Sequence, residues 1–366
     1  MRLHAQRLYP KAPCEKAADI VQAVCGVNAQ FKPAMMLAMR ARIRDISPGD
    51  VAKLTDTQGT LVRTWAMRGT IHLLARDDPG WMLPLLGPPA MAKARGRRWR
   101  LGLDDEKLAK GMGEIRTILK DEREALTREE LMDRLIDRGL EIERKSQAPY
   151  HLITYASLKG LIILGPDRLD GEQTYHLATG GRNRWDREET LAELASRYLM
   201  GYGPASPADF GSWSGLTSAD AKKAWELLRK RGSLVDIIVE NRTLGALETQ
   251  LRSRRASGTL PNTAVSLLPA FDTLILGYSD RSYIVSEKCY GEVYHGGQTV
   301  PVVLVNGMVA GVWRYERRGK RIGIFVRSFQ PFESEIKDLV EAEAKDIGRL
   351  FGLSPSVEYL GQDGSG

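Results

Sequence analysis

One pattern recurs three times along this chain and limits what it can fold into: short helices followed by a two-stranded ribbon. In the first copy the helices are expected at Glu15 to Val27, Pro33 to Arg44 and Pro48 to Asp56, the last opened by Ser47 as cap with Pro48 in its first turn. Val62 to Leu74 supplies the strands. The second copy begins near Asp104 and carries a capping box, Thr127 with Glu130, ahead of Leu131, Leu135 and Leu140. Ser146 then caps a helix through Lys159, and Leu161–Leu164 pairs with Thr174–Leu177 across a turn rich in Gly, Pro and Asp. After Asp186 come a helix to about Met200, a short one from Ser206-Pro207 through Trp213, a third from Ser218 to Arg231, and strands at Leu234–Val239 and Thr243–Leu247.

A helical bundle with an appended hairpin is the winged-helix arrangement, whose third helix enters the major groove of DNA and whose wing contacts the backbone or minor groove. Periodicity alone also fits stacked helical units with short hairpins. Beyond Gly258 the pattern changes to strands: Val265–Pro269, Val300–Val305, Met308–Arg314 and Arg321–Phe329, with Asn306-Gly307 as a two-residue hairpin turn. A helix from Glu333 to Phe351 follows, with Ile336, Leu339, Val340, Ile347 and Leu350 on one face. This reads as a small, partly closed β-barrel or sheet with a covering helix, so the whole chain is of the α+β class.

Composition narrows the function. The chain is too long for one core and suits several modules. No apolar run approaches the ~18 residues of a membrane span, and Met1 to Arg7 leads into mixed sequence, so a cytoplasmic protein is expected. Cys14, Cys25 and Cys289 form no C-x-x-C pair and the histidines are scattered, so neither a metal site nor a disulfide framework is expected. No cofactor is expected either: the Gly296-Gly297 pair makes no phosphate loop. The net charge of +7 is clustered: Lys93, Arg95, Arg97, Arg98 and Arg100 around Trp99, then Arg252, Arg254 and Arg255, then Arg314, Arg317, Arg318, Lys320 and Arg321. Lys222, Lys223, Arg229, Lys230 and Arg231 give the last helix of the third copy a basic face. Such clusters favour a polyanionic partner or form a solvated basic surface. Trp99 reads as a packing anchor in a loop that touches phosphates. Asp272 and Asp280, near Arg281, suit a structural ion pair.

Two carboxamides, Asn28 and Gln30, flank Ala29 at the end of the first apolar helix, and Thr64-Trp65-Ala66-Met67-Arg68-Gly69-Thr70-Ile71-His72-Leu73 follows. An uncharged amide pair can hold a water molecule, and the later segment can bring Arg68 and His72 beside it. Taken alone, Asn28 and Gln30 also suit a helix cap and a surface amide, and His72 a core histidine.

Several motifs together resemble one family. Gln6-Arg7-Leu8, Val27-Asn28-Ala29-Gln30, Leu61 to Leu74 with Arg-Gly-Thr-Ile-His, Tyr202-Gly203-Pro204 running to Phe210 with Trp213-Ser214-Gly215, Leu267 to Asp272 with Gly277-Tyr278, and Gly307 with Gly311-Val312-Trp313 are similar to the AlkZ-type winged-helix DNA glycosylases. The resemblance covers essentially the whole chain. It implies three tandem winged-helix motifs and a β-barrel around double-stranded DNA, excision of N-alkylated bases, and in some members unhooking of interstrand crosslinks. The family's Gln-x-Gln or Gln-x-Asp signature falls on Asn28 and Gln30, the implied catalytic residues. Asn at the first position is shorter by one carbon–carbon bond, ~1.5 Å, a displacement that in an active site costs on the order of a hundredfold in rate.

The expected division is 1–92, a first winged-helix unit with the amide motif; 93–180, a basic segment and second unit; 181–258, a third; 259–360, the β-barrel-like domain with its helix; and 361–366, a disordered tail. DNA contacts are expected from Arg68, His72, Arg97, Arg98, Arg100, Lys222, Arg314 and Arg317. Unlike units in one chain suit a monomer on a duplex, whereas a regulator works as a symmetric dimer on half-sites. The alternative is a winged-helix protein that binds DNA or its damage without catalysis.

Overall fold

The computed structural model describes residues 2–122, 124–179, 185–256 and 263–361. Apart from Gly361, the tail expected at 361–366 lies outside the described residues, as do the side chains of Arg254 and Arg255. The fold is mixed α+β. It opens with α1 (Arg2–Ala5) and α2 (Ala17–Ala23). α2 ends before Val27 because Cys25 and Gly26 take left-handed conformations, φ 54° and 98°. A Cβ on Gly26 would lie 2.6 Å from Leu74 Cδ2, so this turn requires glycine. The turn delivers Val27–Asn28 as strand β1, where the sequence suggested a helix end.

Then come α3 (Lys32–Arg40), α4 (Pro48–Leu54), β2 (Leu61–Trp65) and β3 (Ile71–Ala75). Ser47 and Asp50 cap α4 reciprocally. A helix not expected from periodicity, α5 (Asp78–Arg100), follows, with Pro84, Pro88 and Pro89 inside it. The basic stretch around Trp99 forms its last turns and is not a loop, and the helix crosses the division expected at 92–93. α6 (Asp105–Asp121), β4 (Leu126–Thr127), α7 (Arg128–Asp137), α8 (Ala148–Leu158), β5 (Ile162–Leu164) and β6 (Thr174–Leu177) complete the second copy, with the Thr127–Glu130 box in place. The third comprises α9 (Arg187–Tyr202), α10 (Pro207–Ser214), α11 (Ser218–Lys230), β7 (Leu234–Val239), β8 (Arg242–Leu247) and α12 (Glu248–Ala256). The remainder holds β9 (Val265–Leu268), α13 (Thr273–Leu276), α14 (Tyr290–Val293), β10 (Tyr294–His295), β11 (Gln298–Thr299), β12 (Val302–Val305), β13 (Met308–Arg318), β14 (Arg321–Ser328), α15 (Ser334–Phe351) and β15 (Ser354–Tyr359).

The ribbons of the first two copies are not separate. They join in a six-stranded sheet of order β1-β3-β2-β5-β6-β4, linked where Arg63 pairs with Leu164. Apolar residues cover both faces: Val27, Leu61, Trp65 and Leu73 belong to one core, Val62, Leu74 and Ile163 to another that includes Trp81, Met82 and Leu86 of α5. The C-terminal sheet runs β15-β14-β13-β12-β9. No described pairing joins its end strands, so it is open where a barrel-like closure was expected. Its end strand β15, unforeseen in the sequence, pairs parallel with β14. Asn306 and Gly307 turn the β12–β13 hairpin with φ 50° and 92°, as the dipeptide predicts.

Buried polar knots tie these parts together. Arg42, fully buried, donates to both oxygens of fully buried Asp272 at 2.8 Å. Gln6 Oε1 accepts from Arg42 (3.0 Å) and Thr273 (2.9 Å), and Gln6 Nε2 donates to the Gly201 carbonyl at 2.7 Å. Asp272 therefore pairs with Arg42 and not with nearby Arg281, while Asp280 pairs with Arg242. A second knot seats α15 on α3: Arg40 reaches Glu343 (2.9 Å) and Asp346 (3.1 Å), and Lys11 reaches both (2.6 and 3.2 Å). Burial alone would raise the Glu343 carboxyl, but Arg40 and Lys11 hold it below its ordinary value.

Removing one partner of a buried pair leaves the other charge uncompensated, which costs about 3–5 kcal/mol. Asp272→Ala is expected to lower unfolding free energy by that amount in urea titrations followed by circular dichroism. A loss below about 1 kcal/mol would show that the knot is dispensable.

Candidate active site

The amide pair is placed by main-chain ladders. Asn28 lies opposite His72, and His72 lies opposite Thr64 on the next strand. Directly opposed residues project to the same face of a sheet, so Asn28, His72 and Thr64 form one polar row across β1, β3 and β2. Beyond the strand, Ala29 N–H donates to the Ile71 carbonyl at 2.8 Å. Ile71 N–H in turn donates to Gln30 Oε1 at 3.1 Å, so the side chain continues the ladder in place of main chain. Asn28 Oδ1 accepts from Gln30 N–H at 3.3 Å. Each amide oxygen is thus anchored by a backbone donor and keeps a second lone pair. Asn28 is buried, at 9% exposure, while Gln30 is exposed.

His72 is 3% exposed. Its Nδ1 lies 2.9 Å from the Thr70 carbonyl, which can only accept, so Nδ1 carries the proton. Burial first, and then the Arg68 cation, push its pKa down to about 3, against a smaller opposing effect of the Thr70 carbonyl. The ring is therefore neutral at physiological pH. Behind it, Thr64 Oγ1 is buried without a hydrogen-bond partner, an arrangement that costs stability where it occurs in a core.

Lys32, two residues beyond Gln30, pairs with Asp167 of the β5–β6 loop, and Asp167 also approaches buried Arg63 at 3.5 Å. The second copy's hairpin loop is thereby tied to Lys32, just after the amide pair in the chain. Nothing in the sequence pattern singled out Lys32, Asp167 or Thr64, because each enters through a cross-strand or cross-unit contact.

The residues expected to touch DNA divide. Arg68 sits between the strands at φ 56° and gives Nη1 to the Trp213 carbonyl. A Cβ on Gly215 would lie 3.2 Å from Arg68 Cα, so this arginine latches the first hairpin to α10. Burial lowers its pKa. Arg98 is also turned inward, donating to Met91 O at 2.9 Å and lying over Tyr155 at 5.0 Å, because its position on α5 faces α8. Neither fits the expectation of a free phosphate contact, and His72 is too buried for one. Arg97, Arg100 and Lys222 are exposed. Arg97 donates to Gln147 at 2.8 Å and Arg100 to Gly96 O at 3.3 Å. Arg314 and Arg317 are exposed on β13, the first ion-paired with Glu316 and 4.1 Å from the Phe325 ring, the second 3.8 Å from the Phe351 ring.

A cavity of about 460 Å³ between α5, α8 and the sheet is lined by residues such as Val62, Leu83, Met91 and Lys159 and excludes both amides. The pair instead lies at the end strand β1 of the six-stranded sheet, with Gln30 exposed and Asn28 buried beside it.

The description "DNA glycosylase AlkZ-like" matches residues 21–350. The chain is similar to the interstrand DNA cross-link repair glycosylase of Streptomyces sahachiroi, 27% identical over 368 residues, covering 96% of this chain and 95% of that one. The solved structure of Streptomyces sahachiroi DNA glycosylase AlkZ superposes with a TM-score of 0.80 at 26% identity, over 98% of this chain and 97% of that chain.

The folded-state value of His72, about 3, lies below the unfolded value of about 6.5. As pH falls the unfolded state takes the proton first, so the stability conferred by neutral His72 is complete above about pH 6.5 and is lost progressively towards pH 3. Wild type is expected to lose more stability than His72→Gln between pH 6.5 and 4 in thermal melts. Parallel curves would mean that His72 titrates normally in the fold.

Proposed function

This chain belongs to the AlkZ-like DNA glycosylase family, and we propose that it hydrolyses the N-glycosidic bond of N-alkylated purines in double-stranded DNA through Asn28 and Gln30. The observation that carries this reading is the pair of neutral amides whose oxygens are fixed by the Ile71 and Gln30 N–H groups at the end strand of the sheet, Gln30 being exposed.

An N7- or N3-alkylated purine is cationic, so its glycosidic bond breaks without a general acid and leaves an oxocarbenium-like sugar. Such a reaction needs an aligned water more than a strong base. Gln30 Oε1 accepts a hydrogen bond from that water and turns its lone pair towards the sugar; the Asn28 dipole favours the developing positive charge. Neutral His72 adds no repulsive charge. Normal bases, as poor leaving groups, are spared. The nearest lysine in sequence, Lys32, is engaged by Asp167, which agrees with hydrolysis by water in place of an amine-linked intermediate.

On the same reading, the three helix–hairpin units are winged helices along the duplex, and the protein acts as a cytoplasmic monomer. Exposed Arg97, Arg100, Lys222, Arg314 and Arg317 contact phosphates, where each contact contributes to a salt-dependent affinity. Crosslink unhooking, the activity named for the Streptomyces sahachiroi protein, is included in the proposal. The short Asn28 favours one second reading, a binder of alkylated duplex that does not excise.

The test is release of 7-methylguanine from a duplex in single turnover, with duplex affinity measured in parallel. Gln30→Ala is expected to reduce release at least about a hundredfold with affinity unchanged. Lesion binding without release by wild type would favour the non-excising reading.

A further inference from the structure

Gln30 is followed directly by Phe31, whose side chain is 54% exposed. Burial of a phenylalanine is favourable, so exposure of this one next to the amide pair calls for a cause. Its ring stacks on Phe271, with centroids 5.7 Å apart and planes inclined by 21°. Phe271 is half-buried and holds φ 59°, a conformation that is costly for a bulky residue and collects at ligand-binding sites.

Two anchors impose that conformation. Phe271 N–H donates to Thr299 Oγ1 at 2.6 Å, and its neighbour Asp272 is clamped at 2.8 Å by Arg42. The fully buried Arg42–Asp272 pair therefore helps set the ring beneath Phe31. The remaining charge beside Gln30, Lys32, is offset by Asp167.

We propose that Phe31, backed by Phe271, is the platform on which the extruded alkylated purine stacks beside Asn28 and Gln30, and that it selects cationic bases. This rests on the glycosylase reading above. An enzyme that acts on a base within a duplex takes it out of the stack and holds it between aromatic or apolar groups. The negative face of an aromatic ring attracts a cation, so a methylated purine is held more firmly there than its neutral parent. The face of Phe31 not covered by Phe271 is the one available to the base. The pair is a positioning and specificity device; the water remains with the amides.

The test separates stacking from excision. Duplexes carrying 2′-fluoro-7-methylguanine, whose fluorine suppresses the oxocarbenium ion, report lesion recognition without cleavage. Wild type is expected to bind this duplex about tenfold more tightly than the unmodified one, Phe31→Ala to lose that preference, and Phe31→Trp to retain it. Phe31→Leu, apolar but without a π face, is expected to behave like the alanine variant. Melting temperatures confirm folding of each variant. Unchanged preference in Phe31→Ala, or full preference in Phe31→Leu, would overturn the platform. So would a wild type that does not discriminate. Release of 7-methylguanine by wild type is read separately: its absence sinks excision and leaves the binding result to judge the platform.

Discussion

A guanidinium and a carboxylate removed from water, Arg42 and Asp272, hold the two ends of this molecule together. Both are fully buried, and the fork of one matches the two oxygens of the other at 2.8 Å. Such a pair contributes little net stability but is severe if broken, so its value is in defining one arrangement. Gln6, Thr273 and the Gly201 carbonyl complete the knot. It also fixes the segment that carries the strained Phe271 ring. Architecture and site thereby share one constraint.

The site itself is built from neutral groups. Gln30 replaces a main-chain acceptor with a side-chain one, and Asn28 caps the next N–H. A backbone anchor orients an amide without a charge, which suits a substrate that is itself a cation. His72 follows the same logic, since burial and Arg68 keep it uncharged. The exposed basic residues that the proposal assigns to phosphates lie on other elements, α5, α11 and β13.

Much of the local structure was legible because it depends on neighbours in sequence. The Ser47 and Thr127 capping boxes, the Asn306-Gly307 turn and the helices of the third copy occur where their residues placed them. α5 was missed because Pro84, Pro88 and Pro89 read as breakers, and tertiary packing of Trp81, Met82 and Leu86 overrode that signal. The expected end of α2 at Val27 was wrong for a related reason. Strand β1 is only two residues long, too short for any periodicity, and exists through its partner β3.

The order of residues alone determined the motif Asn28-Ala29-Gln30, its departure at the first position and the family to which the chain belongs, since identity and spacing survive without coordinates. Which side chains turn inward and which face solvent was decided by the tertiary structure. Arg68 and Arg98 carry the same charge as Arg97 and Arg100, yet the fold turns the first two inward to carbonyl groups. Phe31 stands exposed on Phe271 because residues 240 positions apart in the chain meet there. Burial and long-range pairing belong to the folded solid, and no local pattern encodes them.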